Sequence, residues 1–154
     1  MRAQGLLMSI LIFWWKSMNI GGRAERHSLR SGIPCVNHKC VKCCLDTEMP
    51  LSRFDISRLL ELGHRLEDFA VKTGKEWRLK NRCGKCVFLS ADGCKIYSHR
   101  PDGCRLYPLV YDETKGKAVM HRLCPYRHEF EVRGGDIENL RMQLKSLRDK
   151  KFWL

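Results

Sequence analysis

Nine cysteines stand in a chain of 154 residues, and four of them fall within ten positions, at Cys35, Cys40, Cys43 and Cys44. The others are Cys83, Cys86, Cys94, Cys104 and Cys124. Cys40 and Cys43 are separated by two residues, as are Cys83 and Cys86. At that spacing two thiolates reach one ion from a single turn. One such pair is a weak signal. Two pairs with five further cysteines in one small chain point to metal or iron–sulfur ligation rather than disulfides. Nine is odd, so a fully paired intramolecular disulfide framework is impossible.

Cys43 and Cys44 add a constraint. Neighbouring side chains of an extended chain leave on opposite sides. Two adjacent thiolates therefore do not readily share one small tetrahedral ion. They suit two ions, two irons of one cluster, or one ion and one reactive thiol, and the bland alternative is that one is a buried apolar Cys. Zinc and iron–sulfur clusters both accept ligation by cysteine alone. His38, His99 and His121 lie near the cysteines, but thiolates already abound. They are expected at the surface or in hydrogen bonds, with His38 the best substitute ligand because it lies between two cysteines.

Arg100 and Arg105 flank Cys104. They are candidates to donate to thiolate sulfur and offset its charge, and the alternative is pairing with carboxylates such as Asp102. Tyr97 and Tyr107 are expected to pack in the core beside Ile96 and Leu106, with shielding of the sulfur site as the alternative.

These residues need elements to hold them. Ser52 and Asp55 form a capping box, so a helix should start at Ser52, with Leu51 stapled onto Ile56. Ile56, Leu59 and Leu60 make its inward stripe and Gly63 stops it. A second helix is expected from about Arg65 to Val71, with Leu66, Phe69 and Ala70 inward. Trp77 and Leu79 alternate with charge as a short strand does. Asp92-Gly93 marks a tight turn that brings Cys86 and Cys94 close. Leu109 to Tyr111 and Ala118 to His121 flank Lys115-Gly116-Lys117 as a hairpin. Asp136 to Lys150 reads as an amphipathic helix, with Ile137, Leu140, Leu144 and Leu147 on one face. The expected class is α+β: a small cysteine-rich, metal-bound domain with short hairpins, a capped central helix and a C-terminal amphipathic helix.

Three regions are expected. Residues 1–34 are an apolar N-terminal appendage and a linker, with residues 16–34 polar and without periodic apolar pattern. Residues 35–130 are the cysteine domain, and residues 131–154 hold the C-terminal helix. The apolar run Leu6 to Trp15 is about half the length of a bilayer span, and no signal cleavage site follows it. No membrane span is expected, and the reducing cytoplasm is the expected compartment.

The formal net charge is +12. A site of four thiolates and one divalent ion carries about −2, so two would leave the chain at about +8. The charge favours weak attraction to nucleic acid or acidic surfaces. Lys and Arg are spread along the chain, and Trp77 and Phe88 are isolated, so nucleic-acid binding is not the expected role. No Gly-rich phosphate loop, nucleophile elbow or H-E-x-x-H helix is present.

From Cys35 to Cys124 the chain resembles the YkgJ-type cysteine-cluster family, a zinc- or iron-chelating domain with a CxxCxxCC-like motif. That motif stands here as Cys35-x4-Cys40-x2-Cys43-Cys44. The second half carries Cys86-Val-Phe-Leu, Gly93-Cys94-Lys-Ile-Tyr97, Arg100-Pro101-x-x-Cys104-Arg105-Leu-Tyr107-Pro108 and Cys124. The resemblance implies metal ligands at Cys35, Cys40, Cys43, Cys44, Cys86, Cys94, Cys104 and Cys124. It departs from the family in the longer first gap and in Cys83, which is additional.

The function so implied is a metal-binding protein with an all-cysteine zinc or iron site, which includes a 4Fe-4S cluster. Flagellin lysine N-methylases are similar in carrying this kind of domain. They imply an alternative, a cluster-dependent enzyme that uses S-adenosylmethionine on a protein substrate. A structural zinc module docked on nucleic acid is the third alternative.

Overall fold

Two clusters of buried apolar side chains organise the chain; Cys86, Cys44, Cys94 and Cys104 belong to or pack against the first, and Cys124 and Cys35 the second. The computed structural model describes residues 25–149. The apolar run Leu6 to Trp15 lies outside them.

The elements are short. β1 (His27–Ser28) leads through a 3-10 turn, Leu29–Ser31, into α1 (Ile33–Asn37). A second 3-10 turn, Lys42–Cys44, precedes β2 (Pro50–Leu51), α2 (Arg53–Glu61) and α3 (Leu66–Phe69). Then come β3 (Ala70–Thr73), β4 (Glu76–Leu79), β5 (Asn81–Arg82), β6 (Lys85–Cys86), β7 (Leu89–Ser90) and β8 (Gly93–Cys94). A 3-10 turn, Tyr97–His99, leads to α4 (Asp102–Leu106), β9 (Leu109–Asp112) and β10 (Lys117–Met120). The 3-10 turn Arg127–Glu129, β11 (Phe130–Glu131) and α5 (Gly134–Arg148) complete the order. The class is α+β, as expected.

The capping box is present. Ser52 Oγ accepts from the Asp55 amide at 3.2 Å, and Asp55 Oδ2 accepts from the Ser52 amide at 3.0 Å. These bonds satisfy amides that the first helical turn leaves free. Leu51, Ile56 and Leu59 are buried together in the first cluster, with Phe69, Leu79, Phe88 and Ile96. Leu60, expected inward, is 44 % exposed. It sits about 100° around the helix from Leu59, past the edge of the buried stripe. Gly63, at φ +87°, ends the helix in a conformation that glycine adopts without strain.

The helix expected over residues 65–71 is cut short. Ala70 leaves it to pair with Leu79 in β3–β4, because strand pairing offers its backbone partners that a short isolated helix lacks. The expected hairpin at residues 109–121 forms as β9–β10, with Asp112 opposite Lys117. The Asp92-Gly93 turn joins β7 to β8 and sets Cys94 opposite Leu89.

The segment read as linker is built into the fold from His27 onward. β1 pairs in parallel with β11, and Leu29 is 2 % exposed. No periodicity announces this, because two-residue strands are held by partners a hundred residues away. The second cluster gathers Leu29, Leu106, Leu109, Phe130 and Leu140, with Ile137 and Leu144 packed against it. Among the described residues no helix is long and apolar enough to cross a membrane.

Candidate metal centre

Short local structures present each cysteine. Gly32, at φ +64°, opens α1, and Pro34 occupies its first turn, so Cys35 stands on a helix one turn long. The Cys40 amide closes back on the Cys35 carbonyl at 2.9 Å. The 3-10 turn Lys42–Cys44 carries the vicinal pair. Leu45, just after it, bridges to Lys85, just before Cys86, and this pairing brings the first and second halves of the motif together. Cys94 comes from the β7–β8 hairpin, Cys104 from α4, and Cys124 from the turn after β10, where its amide bonds the His121 carbonyl at 3.2 Å.

The helix α2 holds the loop that leads to Cys104. Asp55 is fully buried and its Oδ1 accepts from the Asp102 amide at 2.9 Å. Arg58 Nη2 donates to Asp55 Oδ1 at 2.8 Å and to the Arg100 carbonyl at 3.2 Å. Both ends of the Arg100-Pro101-Asp102 loop are thereby tied to one helix. The role of Asp55 in the cap was legible; its reach to Asp102, and the whole role of Arg58, were missed. The i,i+3 spacing of Asp55 and Arg58 was the available signal.

Cys35, Cys40, Cys43, Cys44, Cys86, Cys94 and Cys104 line one cavity of about 510 Å³. Tyr97, Arg100 and Tyr107 line it too. Cys124 is buried in the second cluster beside Cys35. Cys83 is exposed at the tip of the β5–β6 hairpin and does not line the cavity. All nine thiols are free.

The electrostatics are those of crowded thiols. Burial, then Cys43, Cys40 and Cys124, push the Cys35 thiol up to about 11, and Arg100 opposes them. Burial first, and then Cys43 and Cys86, push Cys104 well up. Cys44 donates a hydrogen bond to Cys43, which lowers the Cys43 thiol and raises that of Cys44. Arg100 favours the ionised form of Cys35, Cys43, Cys94 and Cys104. Its guanidinium lies 3.9 Å from the centre of the Tyr97 ring, and its Nε donates to the Tyr97 carbonyl at 3.0 Å.

Arg105 does not share this role. Its Nη2 donates to the Ser98 carbonyl at 2.8 Å, and it does not line the cavity. Asp102 pairs with Arg58 rather than with Arg100 or Arg105.

Both tyrosines line the cavity, and Tyr107 also packs against the second core cluster, as expected. The Tyr107 hydroxyl meets His121 Nδ1 at 3.0 Å, and burial followed by Cys124 and Cys43 pushes it up to about 12. The histidines are engaged elsewhere. His38 bonds Glu129 Oε1 at 2.8 Å and stacks on Tyr126 at 3.8 Å, which occupies it away from the thiols. His99 bonds Ser98 Oγ.

The donor set suits a soft-metal group: it is all sulfur, half-buried or buried except at Cys43, and has one guanidinium to balance charge. Among the described residues, no three His, Cys, Asp or Glu side chains are already gathered at the spacing of a single ion. The thiols ring a space instead of meeting at a point.

A family model described as CxxCxxCC, "putative zinc- or iron-chelating domain", matches residues 34–125. No curated protein and no solved structure matches the chain.

Proposed function

Because the chain belongs to the CxxCxxCC family of zinc- or iron-chelating domains, we propose that it holds zinc or an iron–sulfur group on cysteine thiolates alone. The thiolates are those of Cys35, Cys40, Cys43, Cys44, Cys86, Cys94, Cys104 and Cys124. The observation that carries this reading is the shared cavity: seven of these eight line it, and Cys83 does not. Bound zinc would supply cross-links that hold short elements together, and an iron–sulfur group would add electron transfer.

The chain's own residues prepare that site. Arg100 offsets the negative charge that builds as thiols lose protons. Asp55 and Arg58 fix the loop from which Arg100 and Cys104 project. Tyr97 and Tyr107 form part of the cavity wall. The reducing cytoplasm is the compartment in which such thiols stay free to bind.

The test is metal analysis with visible absorption on protein purified without oxygen. Zinc or iron in near-integral ratio to chain is expected. A ratio near zero for both defeats the reading.

A second reading is favoured by the size of the cavity, about 510 Å³, and by the exposed position of Cys43 on it. There is room for a substrate group beside the sulfur. This reading is an enzyme that modifies a protein side chain with S-adenosylmethionine, as the similar lysine N-methylases do. It requires S-adenosylmethionine to bind the metal-loaded chain in calorimetry, and no heat of binding removes it.

A further inference from the structure

A groove of about 940 Å³ runs between α5 and the β9–β10 hairpin and shares no lining residue with the cysteine cavity. Its floor is aliphatic: Ala118 from β10, and Ile137, Leu140 and Leu144 from α5. Leu140 is buried in the second core, while Ala118, Ile137 and Leu144 pack at its edge and stay half-buried. Steps of three and four residues set the three α5 side chains in one stripe.

Cations line the same groove: Lys117 from β10, and Arg141, Lys145 and Arg148 from α5. The last three stand at i, i+4 and i+7, so they form a second stripe beside the aliphatic one. Asp149 is the one carboxylate lining the groove among the described residues. Arg141 meets Glu138 at 3.6 Å. Among the described residues, no ion pair engages Lys117, Lys145 or Arg148. Like charges one helical turn apart repel, and an anionic occupant relieves that cost.

We propose that this groove docks an acidic amphipathic helix of a partner protein, with its apolar stripe on Ala118, Ile137 and Leu144 and its carboxylates toward Lys117, Lys145 and Arg148. Charge selects the occupant. The chain's own residues 1–24 carry Arg2, Lys16 and Arg23 and no acidic residue, and residues 150–154 carry Lys150 and Lys151 and none. A second copy brings the same net charge of +12. A nucleic-acid backbone answers the cations but buries nothing on an aliphatic floor, and Tyr111 is the one aromatic residue lining the groove among the described residues. A flat bilayer does not enter a groove with two walls. From Ile137 to Arg148 the stripes run about 17 Å along α5, which matches about three turns of a second helix. The docking is independent of the metal reading above and stands or falls without it.

The test uses the full reduced chain and a fluorescein-labelled peptide of about 18 residues built of Leu, Ala and Glu, with Leu recurring at i, i+3, i+4 and i+7. Saturable binding is expected in fluorescence anisotropy. Lys145→Glu combined with Arg148→Glu should weaken it about tenfold or more. Lys117→Glu, on the hairpin wall, should also weaken it and reads the groove without altering α5. The same reversal of two charges at Lys72 and Lys75, exposed on the β3–β4 hairpin, should leave binding within about twofold. A peptide of the same composition in scrambled order should bind much more weakly. Metal content should be equal in all these variants. Absence of peptide binding overturns the proposal, as does equal binding of the scrambled peptide or an equal loss at Lys72 and Lys75. A labelled oligonucleotide or anionic vesicle that binds through Lys117, Lys145 and Arg148 where the peptide does not would assign the groove to that partner and overturn it too.

Discussion

The backbone of Gly32 lies directly against the hydroxyl of Tyr97. A Cβ at position 32 would fall 1.4 Å from Tyr97 Oη and 2.7 Å from Cζ. Gly32 opens the helix of Cys35, and Tyr97 walls the cysteine cavity, so this contact registers two parts of the site. The Tyr97 hydroxyl is buried there and finds no hydrogen-bond partner among the described residues.

Gly32→Ala should therefore be costly twice, through the clash and through the left-handed φ of +64°. A loss of about 2–4 kcal/mol in urea unfolding is expected, together with weaker metal retention. Gly63→Ala is the control: its φ is +87°, but open space surrounds the added methyl, so only about 1–2 kcal/mol should be lost. Equal losses at the two positions would show that the Tyr97 contact carries nothing.

Asp55→Asn should loosen the loop that presents Cys104. The carboxylate accepts from the Ser52 amide, the Asp102 amide and Arg58, and an amide in its place puts an N–H against one set of donors. The expected cost is about 3–5 kcal/mol by denaturant titration, because donors around a fully buried acceptor are left unpaired. Metal should be lost to a chelator faster than from the unsubstituted chain. A variant with unchanged unfolding midpoint would remove Asp55 from this role.

The metal-free reduced protein should lose stability above about pH 9. Cys35 has a thiol at about 11 in the folded chain against an ordinary 9.0. That contribution is fully present below the unfolded value and is lost as pH rises from about 9 through about 11. Cys44, Cys86, Cys94, Cys104 and Cys124 are raised as well. Cys43 runs the other way: its lowered thiol contributes above the unfolded value, and that part is lost as pH falls. One lowered group does not offset six raised ones. Urea midpoints at about pH 8 and about pH 10.5, with reductant, should fall clearly between the two. A flat or rising midpoint contradicts the burial of the thiols.

Cys83 should be dispensable for metal. It occupies a two-residue turn between Arg82 and Lys85, with φ +50° followed by Gly84 at φ +71°. Asn-Gly suits that turn better than Cys-Gly. Cys83→Asn should leave metal content unchanged and raise stability by about 0.5 kcal/mol. Loss of metal in this variant would place Cys83 among the ligands after all.

Local chemistry was legible along the chain. The capping box at Ser52 and Asp55, the glycine stop at Gly63, the Asp92-Gly93 turn and the β9–β10 hairpin all depend on residues a few positions apart. Short-range hydrogen bonds and backbone preferences decide such features, so the sequence states them directly. The cysteine spacing likewise pointed to the zinc- or iron-chelating family to which the chain belongs, because residue type and spacing are properties of the chain itself.

Only the tertiary structure decided the rest. It turned Ala70 from helix to strand by pairing it with Leu79, and built His27–Ser28 onto Phe130–Glu131. It bonded Asp55 to the Asp102 amide, set Arg100 at the cavity while turning Arg105 to Ser98, and bound His38 to Glu129. Each of these joins residues whose sequence separation carries no local signal, or separates neighbours that the sequence treats alike. The division of the cysteines between two cores has the same cause. Spacing does not say that Cys86 is buried with Leu59 and Phe88 while Cys124 is buried with Leu106 and Leu140.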